Sequence, residues 1–354
     1  MACNERWLVA LLLALVAFSA QAPSALAARA DPRAQRDLAI ESSTLLKQLL
    51  NKPRPSAAAP SGAFGINARF ERGEVPVWGL SYQRQGRNMI IHALATRSPA
   101  WINRGLKVFN WAFARQAADG GFPRSQSALY QLATFADAVA RSCLLIEASR
   151  YAARYERQCD AYRPRIARLA GYMRSAAVRE RGERTSACCA HRPILVATAY
   201  AIISHFLDDR SYASDSRRYM RKAIGRQATN GVIREKGGHD LSYQMVGIEV
   251  ASHWLVYEHG RPLYNTVGNM VRKALAWART RISGSTIKRA GDTRTRGQEV
   301  GPLDGRVKSV SHGSIVRAFA YWGTRVNSRS DRATAARIAA KYLPRSLPVV
   351  YADG

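Results

Sequence analysis

The sequence predicts an all-α protein of repeated helical hairpins, and three observations predict this class. Apolar residues recur at helical spacing through most of the chain, and alternating strand patterns are scarce. Gly, Pro and Asp clusters separate the helical segments. Short sequence stretches also recur at intervals that fit two helices and two turns. We therefore predict an (α/α) toroid of about five to six hairpins, since closing the array leaves no apolar end exposed to water.

The first 28 residues have the pattern of a cleavable export signal. The apolar run Leu8–Phe18 is about half the length needed to cross a bilayer, which favours a signal core over the alternative of an uncleaved anchor. Small residues at Ala25 and Ala27 fit a cleavage site, with Ala20-Gln21-Ala22 as a second possible site. We expect cleavage after Ala27 or Ala28 and a periplasmic or secreted protein with no stable membrane anchor.

The rest of the chain divides into a short N-terminal segment and one large domain. Residues 29–62 are expected to hold a helix over about 34–51 and a Pro/Ala/Gly-rich linker, and residues 63–354 to form the toroid as a monomer. The helical pattern predicts further helices at about 84–97, 99–118, 126–150, 157–177, 193–207, 212–228, 241–258, 261–282, 312–326 and 331–343.

The chain is strongly basic. It has 54 Lys and Arg against 25 Asp and Glu, a formal net charge of +29, and such a field concentrates anions near the surface. No zinc finger, RNP sequence or continuous Lys/Arg tail accompanies this charge, so we expect no nucleic-acid partner. Together with export, the charge favours an anionic polysaccharide as partner. An Arg-rich composition with no specific anion is the alternative.

The cysteines predict disulfides rather than a metal centre. Cys143, Cys159, Cys188 and Cys189 remain after signal cleavage, an even number suited to an oxidising compartment. Cys143 and Cys159 would lie near the joined ends of two antiparallel helices, and Cys188-Cys189 could form a vicinal disulfide, although cross-pairings stay open. No CxxC spacing, Gly-rich phosphate loop or dinucleotide fingerprint is present, so neither a metal nor a cofactor is predicted.

The internal repeat indicates where a site would lie. Arg115–Gly120 matches Arg226–Gly231, and Leu80-Ser81-Tyr82-Gln83 matches Leu241-Ser242-Tyr243-Gln244. In a toroid the inner helices run in one direction, so their N-termini meet at one mouth, where free N–H groups favour anions. The residues that open these helices would then line one cavity: Tyr82, Tyr130, His191, Tyr243 and His312.

One part of the chain resembles a known family. Cys188-Cys189-Ala190-His191 precedes a helix, and the loop from Asn230 leads to Tyr243. Over about residues 110–260 this arrangement is similar to the alginate-lyase type of α/α-toroid polysaccharide lyases. The resemblance implies cleavage of a uronate-containing glycan by β-elimination, with His191 and Tyr243 at matched catalytic positions. The family has an Asn before the His, where this chain has Ala190.

β-Elimination requires three kinds of group. The uronate carboxylate must be neutralised, a base must remove the adjacent proton, and an acid must protonate the leaving oxygen. Tyr243 and His191 are candidates for base and acid, and Arg234 for the carboxylate. Further substrate contacts are expected from Tyr82, Tyr130, Arg124, Arg192, Glu235, Lys236, His239 and His312. The basic segment 284–305 is expected to be a mobile lid.

Two alternatives remain open at the sequence level. A glycoside hydrolase on the same scaffold would need paired carboxylates, for which Asp119, Glu235 and Asp240 are candidates. Turn formation by Asp119 and helix capping by Asp240 are competing structural explanations. The second alternative is a non-catalytic binder of anionic glycan in the cell envelope.

Overall fold

The computed structural model describes residues 30–49, 58–288, 291–292 and 310–343. Helices account for 69% of it and strands for 6%, so the predicted all-α class is confirmed. The expected export signal, the first half of the linker and most of the expected basic loop or lid lie outside the described residues.

Fourteen helices occur in the described part of the chain, along with two short two-stranded pairs. The helices are α1 Pro32–Glu41, α2 Thr44–Leu49, α3 Ile66–Glu71, α4 Gln85–Thr96, α5 Pro99–Phe113, α6 Leu129–Glu147, α7 Ala152–Arg174, α8 Ala176–Thr185, α9 His191–Phe206, α10 Ser211–Ile224, α11 Leu241–Tyr257, α12 Tyr264–Thr280, α13 His312–Arg325 and α14 Arg329–Tyr342. A 3₁₀ helix, Leu80–Arg84, precedes α4. Strand β1 (Trp78–Gly79) runs parallel to β2 (Ser125–Gln126), and β3 (Ile282–Ser283) antiparallel to β4 (Thr286–Ile287).

The predicted helices differ from the structure in three places, one of which is the six-residue helix α3, where no helix was predicted. The helix expected over 34–51 is split into α1 and α2 at Ser42, whose backbone N–H bonds back to the end of α1. Helix α8 was not predicted, because it is polar along most of its length and buries only Val178 and Gly182. The remaining predicted helices occur within a few residues of their expected bounds.

The helices pack in a regular order. Five helices lie side by side in chain order: α4, α6, α9, α11 and α13. Each of them also packs against the long helix that follows it in the chain, which is α5, α7, α10, α12 or α14, respectively. Helices α9 and α11 are buried around nearly their whole circumference, as expected of helices inside a core. Among the described residues α6 is apolar enough to span a membrane, but 89% of its most apolar stretch is buried, which identifies it as a core helix.

The repeated sequences form one repeated turn. In its three copies a backbone N–H bonds to the carbonyl four residues later: Ala59 to Ala63, Ala117 to Gly121 and Ala228 to Val232. Each copy contains a glycine with φ of 93–104° whose Cα lies too close to a backbone carbonyl of α5, α7 or α12 to leave room for a side chain. The glycines are Gly62, Gly120 and Gly231.

The glutamine of the Leu-Ser-Tyr-Gln repeat holds this turn in place. The Gln83 amide donates to the carbonyls of Gly62 and Val108, and the Gln244 amide to those of Gly231 and Ala274. Both glutamines are fully buried. The repeat therefore links the start of α4 and of α11 to the turn before it and to the helix that follows, α5 or α12.

Helices α4 and α5 make a very close crossing. A Cβ atom on Gly105 would lie 2.5 Å from the Gly86 carbonyl oxygen and 2.7 Å from Ile90. By contrast, a Cβ atom on Gly171 in the middle of α7 would meet nothing within 4 Å.

Helix α1 carries two buried carboxylates into the centre of the molecule. Asp37 accepts hydrogen bonds from Arg141 at 2.6 and 2.7 Å and from the hydroxyls of Tyr257 and Tyr321. Glu41 accepts 2.8 Å bonds from both Arg141 and Arg317. These charge-assisted bonds join α1 to α6, α11 and α13.

His253 lies beside this ion network. It is fully buried, packs edge-on against Tyr321, and its nearest carboxylate is Glu249 at 4.0 Å. Within the described residues neither ring nitrogen has a hydrogen-bond partner. Burial, and after it the charges of Arg141, Arg87 and Arg317, hold the pKa of His253 well below its usual value, so the ring is neutral.

Candidate active site

The structure brings His191, Tyr243 and Glu235 together. His191 is the first residue of α9 and Tyr243 lies in the first turn of α11. Their rings stack with centroids 4.5 Å apart and planes 9° apart. Behind the imidazole, a Glu235 carboxylate oxygen lies 2.8 Å from His191 Nδ1, and all three residues are at least 95% buried.

This geometry fixes how the imidazole can act. An ionised carboxylate only accepts hydrogen bonds, so the short contact places the proton of neutral His191 on Nδ1. The other nitrogen, Nε2, then carries the lone pair and is the basic atom. The arrangement corresponds to a general base held in one tautomer by a carboxylate.

Two short segments of backbone hold Glu235 in this position. The N–H of Ala190 donates to the Arg234 carbonyl at 2.9 Å, and the N–H of Lys236 donates to the Cys188 carbonyl at 2.7 Å. Cys188 and Cys189 are joined by a disulfide, which is one of the pairings that the sequence left open. The segment that leads into His191 is thus paired directly with the segment that carries Glu235.

His191 and Tyr243 line a cleft with further polar groups. Its lining is Ser81, Arg84, Arg87, Tyr130, Thr134, Asp137, His191, Leu195, Tyr243, Val246 and Val250. The enclosed space is about 60 Å³, below the range of about 300–1,000 Å³ usual for ligand pockets. A ligand larger than a few water molecules can therefore enter only if the cleft widens.

Three charged residues of the cleft were not predicted. Arg84 follows the first Leu-Ser-Tyr-Gln repeat directly, and Arg87 lies one turn later on α4, ion-paired with Asp137 of α6. Burial raises the pKa of Asp137, and the Arg87 charge offsets part of this effect. The repeat was the signal that could have identified Arg84, since it places the following residue directly before the start of α4.

Tyr130 and Arg192 lie together at the cleft. Tyr130 lines it, and the Arg192 guanidinium stacks over the Tyr130 ring at 4.3 Å while donating to the Thr185 carbonyl at 2.6 Å. Both residues were expected near the substrate, and the structure places them beside His191.

Other expected substrate contacts lie elsewhere. The Tyr82 ring packs beside Gly65 rather than in the cleft lining, and the Arg124 guanidinium lies over Phe70, 5.1 Å from its ring. Arg234 and Lys236 are exposed and do not line the cleft. Arg84 and Arg87, rather than Arg234, are therefore the cations next to His191 and Tyr243.

The two histidines that were expected to contact the substrate, His239 and His312, contact other residues instead. His239 Nε2 accepts a 3.1 Å hydrogen bond from the Arg281 guanidinium, and its ring packs edge-on against Trp277. His312 stacks on Tyr342 of α14 at 4.0 Å. Neither belongs to the cleft lining, because the His239 ring packs against α12 and the His312 ring, at the start of α13, packs against α14.

Two of the three hydrolase carboxylates have structural roles. Asp119 is exposed and accepts a 2.8 Å bond from the Gly121 N–H, the position that Asn230 occupies in the third copy of the turn. Asp240 is fully buried and caps α11 by accepting a 2.9 Å bond from the Tyr243 N–H. Only Glu235 of the expected carboxylates touches a catalytic candidate.

Cys143 and Cys159 are neighbours but remain free thiols. Both are buried, and burial together with the contact to Cys159 raises the pKa of the Cys143 thiol well above its usual value. The antiparallel packing of α6 and α7 was thus predicted, whereas the expected disulfide between them is not formed.

The described residues contain no group of three or more His, Cys, Asp or Glu side chains able to hold a metal ion. In comparisons with protein-family models, curated proteins and solved structures, no match to this chain was found.

Proposed function

We propose that this protein is a periplasmic or secreted enzyme that cleaves a uronate-containing polysaccharide by β-elimination on an α/α-toroid scaffold. The observation that carries the proposal is the His191–Tyr243 pair, with Glu235 bonded to His191 and two arginines in the same cleft. The succession of α4, α6, α9, α11 and α13, each with an outer partner, supports the toroid.

Each chemical requirement of the reaction has a residue in the cleft. Arg84 is the candidate to neutralise the uronate carboxylate, because it lines the cleft and offers a bidentate fit. His191 Nε2 removes the proton next to the carboxylate, and Glu235 stabilises the imidazolium that forms. The electrons of the broken C–H bond form the new C=C bond as the glycosidic C–O bond breaks.

Tyr243 completes the reaction. Its hydroxyl donates a proton to the leaving glycosidic oxygen, and the proton on His191 afterwards restores the tyrosine. The stacked rings support this transfer, since they hold both groups against one sugar unit. Because the cleft is narrow, the sugar reaches them only when it widens.

Activity on polyuronates tests the proposal. Purified protein incubated with alginate or glucuronan should release products with the ultraviolet absorbance of an unsaturated uronate. Tyr243→Phe should lower this rate by about 10²–10⁴-fold with the fold intact, the usual range for losing a general acid or base. Tyr172→Phe, a tyrosine outside the cleft lining, is the matched control and should keep full activity.

Each other outcome identifies a different function. Release of reducing ends without the absorbance would favour a glycoside hydrolase, and binding with neither signal would favour a non-catalytic glycan binder. Unchanged turnover in Tyr243→Phe would contradict the assigned site even if the protein proved to be a lyase.

A further inference from the structure

A second, larger groove lies on the outside of the helices that carry the cleft. It encloses about 550 Å³ where α8, the start of α9 and the end of α10 meet. Its lining is Leu129, Gly182, Glu183, Arg184, Ser186, Pro193, Val196, Tyr219, Arg221, Lys222, Gly225 and Arg226. This volume falls within the range of about 300–1,000 Å³ of small-molecule sites.

The groove is strongly cationic. Its lining carries four basic side chains and a single carboxylate, Glu183, which Lys222 already binds at 2.7 Å. Arg184 and Arg221 are exposed, and no carboxylate among the described residues pairs with either of them. The groove thus offers guanidinium groups to an anion without first having to break an ion pair.

The groove and the cleft share their walls. Leu129 lines the groove and Tyr130 the cleft, while Pro193 lines the groove and His191 the cleft. Arg192, the residue between His191 and Pro193 in the chain, stacks over the Tyr130 ring. Neighbouring residues at the starts of α6 and α9 thus line the cleft and the groove.

The lining favours a carboxylated sugar chain over a nucleic acid. Single-stranded nucleic acids bind through bases stacked on exposed aromatic rings as well as through charge. Tyr219 is the aromatic residue of the groove lining, it is 2% exposed, and the Arg218 guanidinium covers its ring at 4.7 Å. The groove therefore offers charge without a stacking platform.

We propose that this groove is a second binding site for the acidic polysaccharide, which holds the chain beyond the unit bound in the cleft. The choice of a uronate chain as the ligand rests on the proposed function, whereas anion binding at the groove does not require catalysis. Arg184 and Arg221 bind carboxylates of the chain, and Arg226, anchored to the Ser186 carbonyl at 2.8 Å, shapes the floor.

Binding measured without turnover tests the groove separately from the chemistry. The probe is a short oligouronate titrated calorimetrically into the full chain carrying Tyr243→Phe, with and without Arg184→Gln and Arg221→Gln. Losing two exposed ion pairs should weaken binding by about three- to tenfold. The control is Arg154→Gln with Arg157→Gln, which removes the same charge from the exposed surface of α7 and should change the affinity less than about twofold.

The outcomes separate specific binding from general charge. Equal weakening by both pairs of substitutions, or no weakening by the groove pair, would overturn the proposal. Tighter binding of a single-stranded oligonucleotide that depends on Arg184 and Arg221 would assign the groove to nucleic acid instead. If the wild-type protein releases no unsaturated product but the groove pair still weakens oligouronate binding, the proposed function fails while the groove stands.

Discussion

Replacing Asp37 with Asn should strongly destabilise the protein. Asp37 is fully buried and accepts four hydrogen bonds, two from Arg141 and one each from Tyr257 and Tyr321. Removing one partner of a buried ion pair lowers the free energy of unfolding by about 3–5 kcal/mol, because the other charge stays buried without full compensation. Glu41 still binds Arg141 at 2.8 Å, so we expect the lower end, about 3 kcal/mol.

Equilibrium unfolding in urea, followed by circular dichroism and tryptophan fluorescence, measures this loss as a shift of the midpoint. A loss of about 3 kcal/mol is a large share of the roughly 5–15 kcal/mol that stabilises a typical domain. Asp160→Asn is the control, since its carboxylate is 60% exposed and pairs with Arg163 at the surface. It should change the free energy of unfolding by less than about 0.5 kcal/mol. A loss below about 1 kcal/mol in Asp37→Asn would refute the assigned role of the α1 network.

Three further predictions concern pH, packing and the disulfide. His253 stays neutral in the folded protein, whereas the unfolded chain binds a proton on this residue at low pH. The free energy of unfolding should therefore fall by up to about 1.4 kcal/mol for each pH unit below pH 6.5. In urea unfolding measured at several pH values, His253→Leu should remove this slope. Gly105→Ala should destabilise by about 1–3 kcal/mol, whereas Gly171→Ala should stabilise by up to about 1 kcal/mol; equal effects would contradict the close crossing of α4 and α5. Reducing agent should lower polyuronate turnover severalfold in the wild type, because it breaks the Cys188–Cys189 disulfide. It should leave the turnover of the Cys188→Ser, Cys189→Ser variant unchanged. An equal loss of turnover in both proteins would contradict the proposal that the disulfide positions Glu235.

Part of the candidate site followed from the sequence because it depends on local repeats. The Leu-Ser-Tyr-Gln stretch marks the start of an inner helix, since its buried glutamine must bond the preceding turn. The repeat thus predicted a helix start at Tyr243, and a helix start was also predicted at His191; the structure has both residues in the first turn of a helix. Glu235 was identified as a candidate, but its bond to His191 joins residues 44 positions apart and no local pattern encodes it.

The cations of the cleft could not be found in the same way. The sequence offers 54 Lys and Arg residues, and loop position favoured Arg234 over Arg84 and Arg87. Which of these cations face His191 depends on how α4 packs beside α6, and the Arg87–Asp137 ion pair across these helices joins residues 50 positions apart. Asp119 could not be assigned from the sequence, because a carboxylate next to Gly120 is compatible with both a catalytic site and a turn. The hydrogen bond that it accepts from the Gly121 N–H identifies the turn.

The sequence by itself determined the helical class, the bounds of most helices and the repeated turn, because these depend on contacts within a few residues. Tertiary structure alone decided that α1 carries Asp37 and Glu41 to buried arginines 100 or more positions away, and that His191 lies between Tyr243 and Glu235. Such pairings depend on which helices become neighbours. The free energy that selects those neighbours comes from burying apolar surface over the whole core and is not contained in any one segment.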